Sequence, residues 1–362
     1  MPPRPQRQLF GHQHRRAWLV GIIAAVLLPL MPPQGRAEDH GVAFMYHRFG
    51  EDRFPSTSVR LEQFEAHLEF LAENDFQVWP VSRILQHVER GEALPERTVA
   101  ITIDDAYLSV YTEAYPRLKA RGWPFTVFVA SDSVDRALQG FMSWEHMREM
   151  KRHGASFANH SATHDYLVRR QPGEDEQQWL ARVRADIERG EQRLRAELGP
   201  GPALFAYPYG EYNTALAELV AELGYTAFGQ HSGVLSRYAD KRALPRFPVN
   251  EDYGAPQDFA AKARMRALPV VRYTPWDPVL SADRQPMLTV ELAPTDLLRE
   301  ELTCYVSGQG RVDVTWLDQD RIHFTVQAPK ALPTGRSRYN CTAPDRQRRF
   351  YWFSHQWVVV QP

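Results

Sequence analysis

Apolar and polar positions along this 362-residue chain follow two rhythms. Unbroken apolar runs recur at 42–46, 99–103, 125–129, 155–158, 203–207 and 225–228, each the length of a buried strand. Between them the apolar residues spread to helical spacing. Leu61, Phe64, Leu68 and Leu71 mark one helix, and the same period predicts others over 111–121, 144–153, 179–198 and 214–223. Gly199-Pro200 stops the longest of these and Gly224 the last. Strands separated by helices in this way predict a parallel sheet or barrel with the helices outside. In such folds the residues that do chemistry collect at the carboxyl ends of the strands.

The rhythm changes where Pro275, Pro278 and Pro286 cluster. Beyond them, 287–292, 311–316, 321–326 and 351–360 alternate like half-buried strands. The chain thus divides into an α/β domain over 38–274, a Pro-rich linker over 275–286 and a small all-β domain over 287–362. The only two cysteines, Cys304 and Cys341, fall in that last part. In an oxidising compartment they would pair, and otherwise they are two buried thiols.

Residues 1–37 read as a targeting segment. Arg15-Arg16 precede an apolar run from 17 to 30, and the small residues Gly35 and Ala37 offer a cleavage site before Glu38. The run is short for a membrane span, so export to the periplasm or the medium without a lasting anchor is expected, an uncleaved anchor being the alternative. Forty-three basic and 44 acidic side chains nearly cancel, which gives no electrostatic reason to expect a nucleic-acid partner. Aromatic residues, at 12%, suit sugar stacking and a packed core equally.

Two polar clusters stand out against this frame. Asp104 and Asp105 end the apolar run 99–103. Adjacent carboxylates there either cap the next helix or are held by a cation and hydrogen bonds that offset their desolvation. His160 and His164 are four apart, a spacing that puts both imidazoles on one side of a helical turn. With a strand-end aspartate they make a two-histidine, one-carboxylate set that leaves coordination positions open for water and substrate. Ser161 follows the first histidine, so the zinc-protease pattern is absent. A third segment, Phe205 to Gly210, ends in Pro-Tyr-Gly: good turn chemistry, or a loop whose backbone N–H faces a developing oxyanion.

In order and separation these segments resemble the polysaccharide deacetylases, the NodB-homology or carbohydrate esterase family 4 enzymes. Thr102 to Asp105 is similar to the first family motif, His160 to His164 to the second and Pro208 to Gly210 to the third. The likeness covers roughly residues 40–270. It implies a distorted (β/α) barrel of the NodB-homology type, followed here by the small C-terminal all-β domain. It implies Asp104 as general base, Asp105, His160 and His164 as metal ligands and the Tyr209 amide at the oxyanion. The ion would be divalent, with Zn2+ the default and Fe, Co or Ni suiting the same ligands. The implied reaction removes N-acetyl groups from an amino-sugar polysaccharide and releases acetate. Hydrolysis of O-acetyl esters or related amides, or carbohydrate binding without catalysis, stays open.

The chain departs from the family pattern twice. Where the family often has an arginine touching the base, this chain has Ala206, and Arg246 in Leu-Pro-Arg-Phe-Pro is a substitute or else a surface or packing residue. The late strand-end histidine of the family is also missing. His47, after the first apolar run, resembles that strand moved to the front, as in circularly permuted relatives that act on poly-N-acetylglucosamine. It is the expected general acid, with His231 as the alternative.

Overall fold

The computed structural model describes residues 1–5 and 38–360, and the residues from 38 onward belong to one compact unit. The leader proposed for 1–37 lies almost wholly outside the described residues. Among the described residues no helix is long and apolar enough to cross a membrane.

Six strands run parallel in chain order: β1 (His40–Tyr46), β2 (Thr98–Asp104), β3 (Phe125–Val129), β4 (Ala155–Asn159), β5 (Leu204–Ala206) and β6 (Thr226–Phe228). The segment 244–248 then touches both free edges. Leu244 bridges Phe228 in parallel, and Phe247-Pro248 pair with Phe44-Met45 of β1. The sheet is thereby curled into a ring with helices around it, the distorted (β/α) barrel expected from the alternating pattern.

Period-two alternation sorts the strand residues between two environments. Val42, Phe44, Val99, Ile101 and Val127 pack into the outer core, Phe44 stacking on Phe259 of the helix Pro256–Ala263. Ala43, Ala100, Phe128, Ala158, Ala206 and Phe228 make a separate inner cluster. By the same parity Thr102 and Asp104 point inward with Ala100. The longest helix, Glu176–Leu198, starts at a capping box in which the Asp175 carboxylate accepts from the Gln178 amide at 2.8 Å and the Gln178 side chain accepts from the Asp175 amide at 3.0 Å. It buries Trp179, Val183, Ile187, Gly190 and Leu194, a stripe at helical spacing.

The C-terminal region holds further β-sheets. Met287–Leu292 appears as its alternation predicts, and Phe350–Val359 as a ten-residue strand paired with Gly335–Pro344. The expected strand 311–316 is two short ones, Gly310–Val312 and Thr315–Trp316. Gly335–Pro344 and Thr303–Val306 were not predicted; their inward positions mix Ser337, Cys341 and Cys304 with Tyr339, Ala343 and Val306, which breaks up the apolar alternation. Residues 266–280 are woven into these sheets: Arg266-Ala267 and Val279-Leu280 pair with the Phe350–Val359 strand, and Val270–Thr274 pairs with Met287–Leu292. Cys304 and Cys341 are opposite each other on paired strands and form a disulfide. A loop of 37 residues closed this way contributes about 4 kcal/mol in the chain-entropy account.

Three buried histidines make the fold sensitive to acid. Burial pushes the His67 imidazole down to about 4, against the pull of its bond to the Gly254 carbonyl, and pushes His231 and His355 down to about 3. Unfolded histidine titrates near ~6.5, so the unfolded chain binds more protons between these values. Their contribution to stability is complete above about pH 6.5 and is lost as the pH falls towards 4. The melting temperature, followed by circular dichroism with chelator present, should therefore drop progressively from pH 7 to pH 4.5. A flat profile over that interval would contradict neutral burial of these rings.

Candidate functional site

At the carboxyl end of β2 the two aspartates part company. Asp104 is completely buried and points into the ring. There Arg246, equally buried, donates from Nη1 and Nη2 to its two carboxylate oxygens at 2.6 and 2.8 Å. The guanidinium also donates to Thr102 Oγ1 and the Gly229 carbonyl, both at 3.2 Å, and lies beside the Phe128 and Phe228 rings. Burial alone would raise the Asp104 pKa. The charge of Arg246 and its hydrogen bonds outweigh that and hold the carboxyl at about 2. Of the two readings of Arg246, the surface or packing residue is thus corrected. It sits on the ring-closing segment 244–248, and closure carries its side chain inside.

Asp105 takes the other direction, turning at a left-handed φ of 61°. Its Oδ1 lies 3.2 Å from His164 Nε2 and 3.7 Å from His160 Nε2. Buried His160 donates from Nδ1 to the Ala206 carbonyl at 2.7 Å, which fixes the tautomer and leaves Nε2 unprotonated. That Nε2 is buried and has no protein partner. An orphaned buried acceptor facing a carboxylate and a second imidazole is costly unless a cation fills the gap. One ligand atom from each of Asp105, His160 and His164 falls within 4.8 Å of the others, so the trio fits a single divalent ion with open positions.

The histidines meet by a different route from the helical turn expected from their spacing. Ser161 and His164 both have left-handed φ, 64° and 61°, and the segment is a loop. Asn159 holds it by accepting from the Ser161 amide at 2.8 Å, and Ser161 Oγ accepts from the His164 amide at 2.9 Å. Such side-chain bonds offer the backbone an alternative to a helix. Behind the loop runs the helix Glu176–Leu198, so close that a Cβ on Gly190 would stand 2.9 Å from the Ser161 carbonyl carbon.

His47 follows β1, half-buried. Burial lowers its pKa, while Asp104 and Asp105 pull it up and Arg246 and His164 push it down. It therefore shares the field of both aspartates. His231 does not: buried rather than loop-exposed, it feels Arg338 and Arg246, and its carbonyl accepts from the Arg246 amide at 2.9 Å. Tyr209 completes the rim, with left-handed φ of 59°, its ring stacked on Tyr166 at 3.8 Å and edge-on to His164 at 4.7 Å. Four non-glycine residues in that costly region, Asp105, Ser161, His164 and Tyr209, thus gather around one point.

Sequence reasoning missed Tyr107, two residues past Asp105. Its ring lies 3.4 Å under the Arg48 guanidinium, and burial, followed by Asp105, pushes its hydroxyl pKa well up. Its only signal was proximity to the aspartate pair.

The chain is similar to known proteins. A family profile described as polysaccharide deacetylase matches residues 91–228, which include both aspartates, both loop histidines and Tyr209 but stop short of Arg246. The poly-beta-1,6-N-acetyl-D-glucosamine N-deacetylase of Escherichia coli K12 is 27% identical over 246 residues; the match covers 57% of this chain and only 36% of that protein. The enzyme of the same name from Staphylococcus aureus MRSA252 is 23% identical, with 58% and 73% covered. Among solved structures, IcaB from Ammonifex degensii superposes with a TM-score of 0.54 at 26% identity, covering 62% of this chain and 97% of its own. The Streptococcus pyogenes deacetylase PplD, at 20% identity and a TM-score of 0.56, supports the fold alone.

Replacing Arg246 by Met should leave Asp104 buried without its partner and cost about 3–5 kcal/mol of stability in urea unfolding. The double variant Arg246→Met, Asp104→Leu should regain most of it. Wild-type stability in the single variant would refute the pair as described.

Proposed function

Through residues 91–228 the chain belongs to the polysaccharide deacetylase family, and from that premise we propose that it hydrolyses N-acetyl groups of an exported amino-sugar polysaccharide in a metal-dependent reaction, releasing acetate. The observation that carries this reading is a buried carboxylate kept ionised by Arg246 beside an Asp-His-His trio with an unpartnered ring nitrogen. A pure binding site has no need of a clamped base next to a metal trio.

In this reading Asp105, His160 and His164 hold the ion, with zinc the default and iron, cobalt or nickel suited to the same donors. A divalent ion there supplies Lewis acidity, lowering the pKa of water and polarising an acetyl carbonyl. Asp104 accepts the proton of the attacking water as the carbon–oxygen bond forms. Arg246 keeps that carboxylate charged and fixed between attacks. The Tyr209 N–H donates to the oxygen on which negative charge develops. His47 gives a proton to the departing sugar nitrogen, because an amine anion is a very poor leaving group. Burial lowers the His47 pKa overall, and the field of Asp104 and Asp105 works against that shift without reversing it. The relatives named for poly-beta-1,6-N-acetyl-D-glucosamine suggest that glycan as substrate. The leader at 1–37 supports action outside the cytoplasm.

Asp104→Asn should lower acetate release from a β-1,6-linked N-acetylglucosamine oligomer by about 10²–10⁴-fold while metal content, measured by plasma mass spectrometry, stays at the wild-type level. Wild-type turnover in that variant would remove Asp104 from the base role. Chelation should abolish activity, and zinc added back should restore it; activity indifferent to chelator would sink metal dependence.

A further inference from the structure

The loop that carries Tyr209 is held from outside the barrel. Arg336 and Arg338 lie two apart on the strand Gly335–Pro344, and Gln356 is the cross-strand partner of Arg338 on Phe350–Val359. Period-two alternation puts the three side chains on one face of this ribbon. All three donate to the barrel. Arg336 Nη1 donates to the Tyr209 carbonyl and, at 2.6 Å, to Gln230 Oε1. Gln356 Nε2, fully buried, donates to the Gly210 carbonyl at 2.6 Å. Arg338 Nη2 donates to the Gln230 carbonyl at 3.0 Å. Gln230 in turn fills the space over Gly210, where an added Cβ would stand 2.6 Å from the Gln230 Cβ.

We propose that Arg336 and Gln356 are positioning residues for the reaction: by anchoring the carbonyls of Tyr209 and Gly210, the C-terminal β region fixes the direction in which the Tyr209 N–H points. The inference rests on the reading of that N–H as an oxyanion donor. Tyr209 has a φ of 59°, a region that costs a non-glycine residue roughly 1–2 kcal/mol, so the loop has an incentive to relax. The carbonyls on its two following peptide groups are tied to side chains that the β-ribbon, not the barrel, supplies. The Tyr209 N–H lies on the preceding peptide group. Untying the two following carbonyls removes what holds the Tyr209 backbone at this φ, so that the loop can relax and turn that N–H. An oxyanion donor is effective only when it is aimed before charge develops. Arg336 is exposed as a residue, with its guanidinium end tucked against the barrel loop, so its removal takes away the anchor without emptying a core position.

The test compares wild type, Arg336→Ala, Arg336→Lys and the double variant Arg336→Ala, Gln356→Leu as full-length zinc-loaded proteins. Acetate release from a β-1,6-linked N-acetylglucosamine oligomer should show kcat falling about 10- to 100-fold in the double variant, as expected for a misplaced group. KM should stay within about twofold, and Arg336→Lys should recover part of the loss. Hydrogen exchange of the peptide spanning 207–212 should accelerate while that spanning 98–105 is unchanged. A kcat and a loop exchange rate both equal to wild type in the double variant would overturn the proposal. So would a uniform rise in exchange across the protein, which marks general destabilisation. If the wild type itself released no acetate, the deacetylase reading would fall separately, and loop exchange would still decide whether the ribbon restrains the loop.

Discussion

A buried carboxylate and a buried guanidinium locked face to face govern this molecule. Neither Asp104 nor Arg246 is tolerable inside the ring alone, and together they satisfy each other's charge and hydrogen bonds. Their partners come from opposite ends of the barrel sequence, β2 and the segment 244–248. The ion pair forms only when that segment spans the gap between β6 and β1. Completing the ring and pairing Asp104 with Arg246 are therefore one structural event. Position 206 is free to be alanine because the arginine arrives from the closing segment instead.

The Asp105, His160 and His164 trio is built by strain rather than by regular structure. Asp105, Ser161 and His164 all adopt left-handed backbone conformations; Asn159 and Ser161 side chains accept from the Ser161 and His164 amides, and the Ala206 carbonyl orients the His160 ring. A helix stripped to glycine at position 190 lets the loop sit close behind the ligands. The ordinary part of the barrel provides rigid strand ends, and the unusual backbone between them aims the side chains.

Much of this was legible in the sequence. The apolar runs at 42–46, 99–103 and 125–129 became strands because burial on both faces leaves a continuous apolar signature. Asp104, Asp105, His160 and His164 stood out because three short motifs fall in order, and the structure gathers them at one end of the barrel. What escaped depends on contacts between distant parts of the chain. Nothing near Arg246 tells that it is buried, since the carboxylate it holds is 142 residues away. The helical turn read into His160–His164 failed because Asn and Ser side chains compete for the backbone amides. The strand Gly335–Pro344 was hidden by its arginines and asparagine, which alternate with an inward series, Ser337, Tyr339, Cys341 and Ala343, of mixed polarity and size. Arg336 and Gln356 were illegible for the same reason as Arg246: the carbonyls they hold are 127 and 146 residues away.

The disulfide has a bearing on when the protein becomes competent. Cys341 lies on the same strand as Arg336 and Arg338, and its link to Cys304 staples that strand to its other neighbour. The ribbon that grips the Tyr209 loop is thus flanked on one side by a covalent bond that forms only where thiols are oxidised. In a reducing cytoplasm the same chain would have its barrel and its ligands but a looser sheet beneath the loop. For an exported enzyme, as proposed, thiol pairing would complete the sheet from which Arg336 and Gln356 reach the Tyr209 loop.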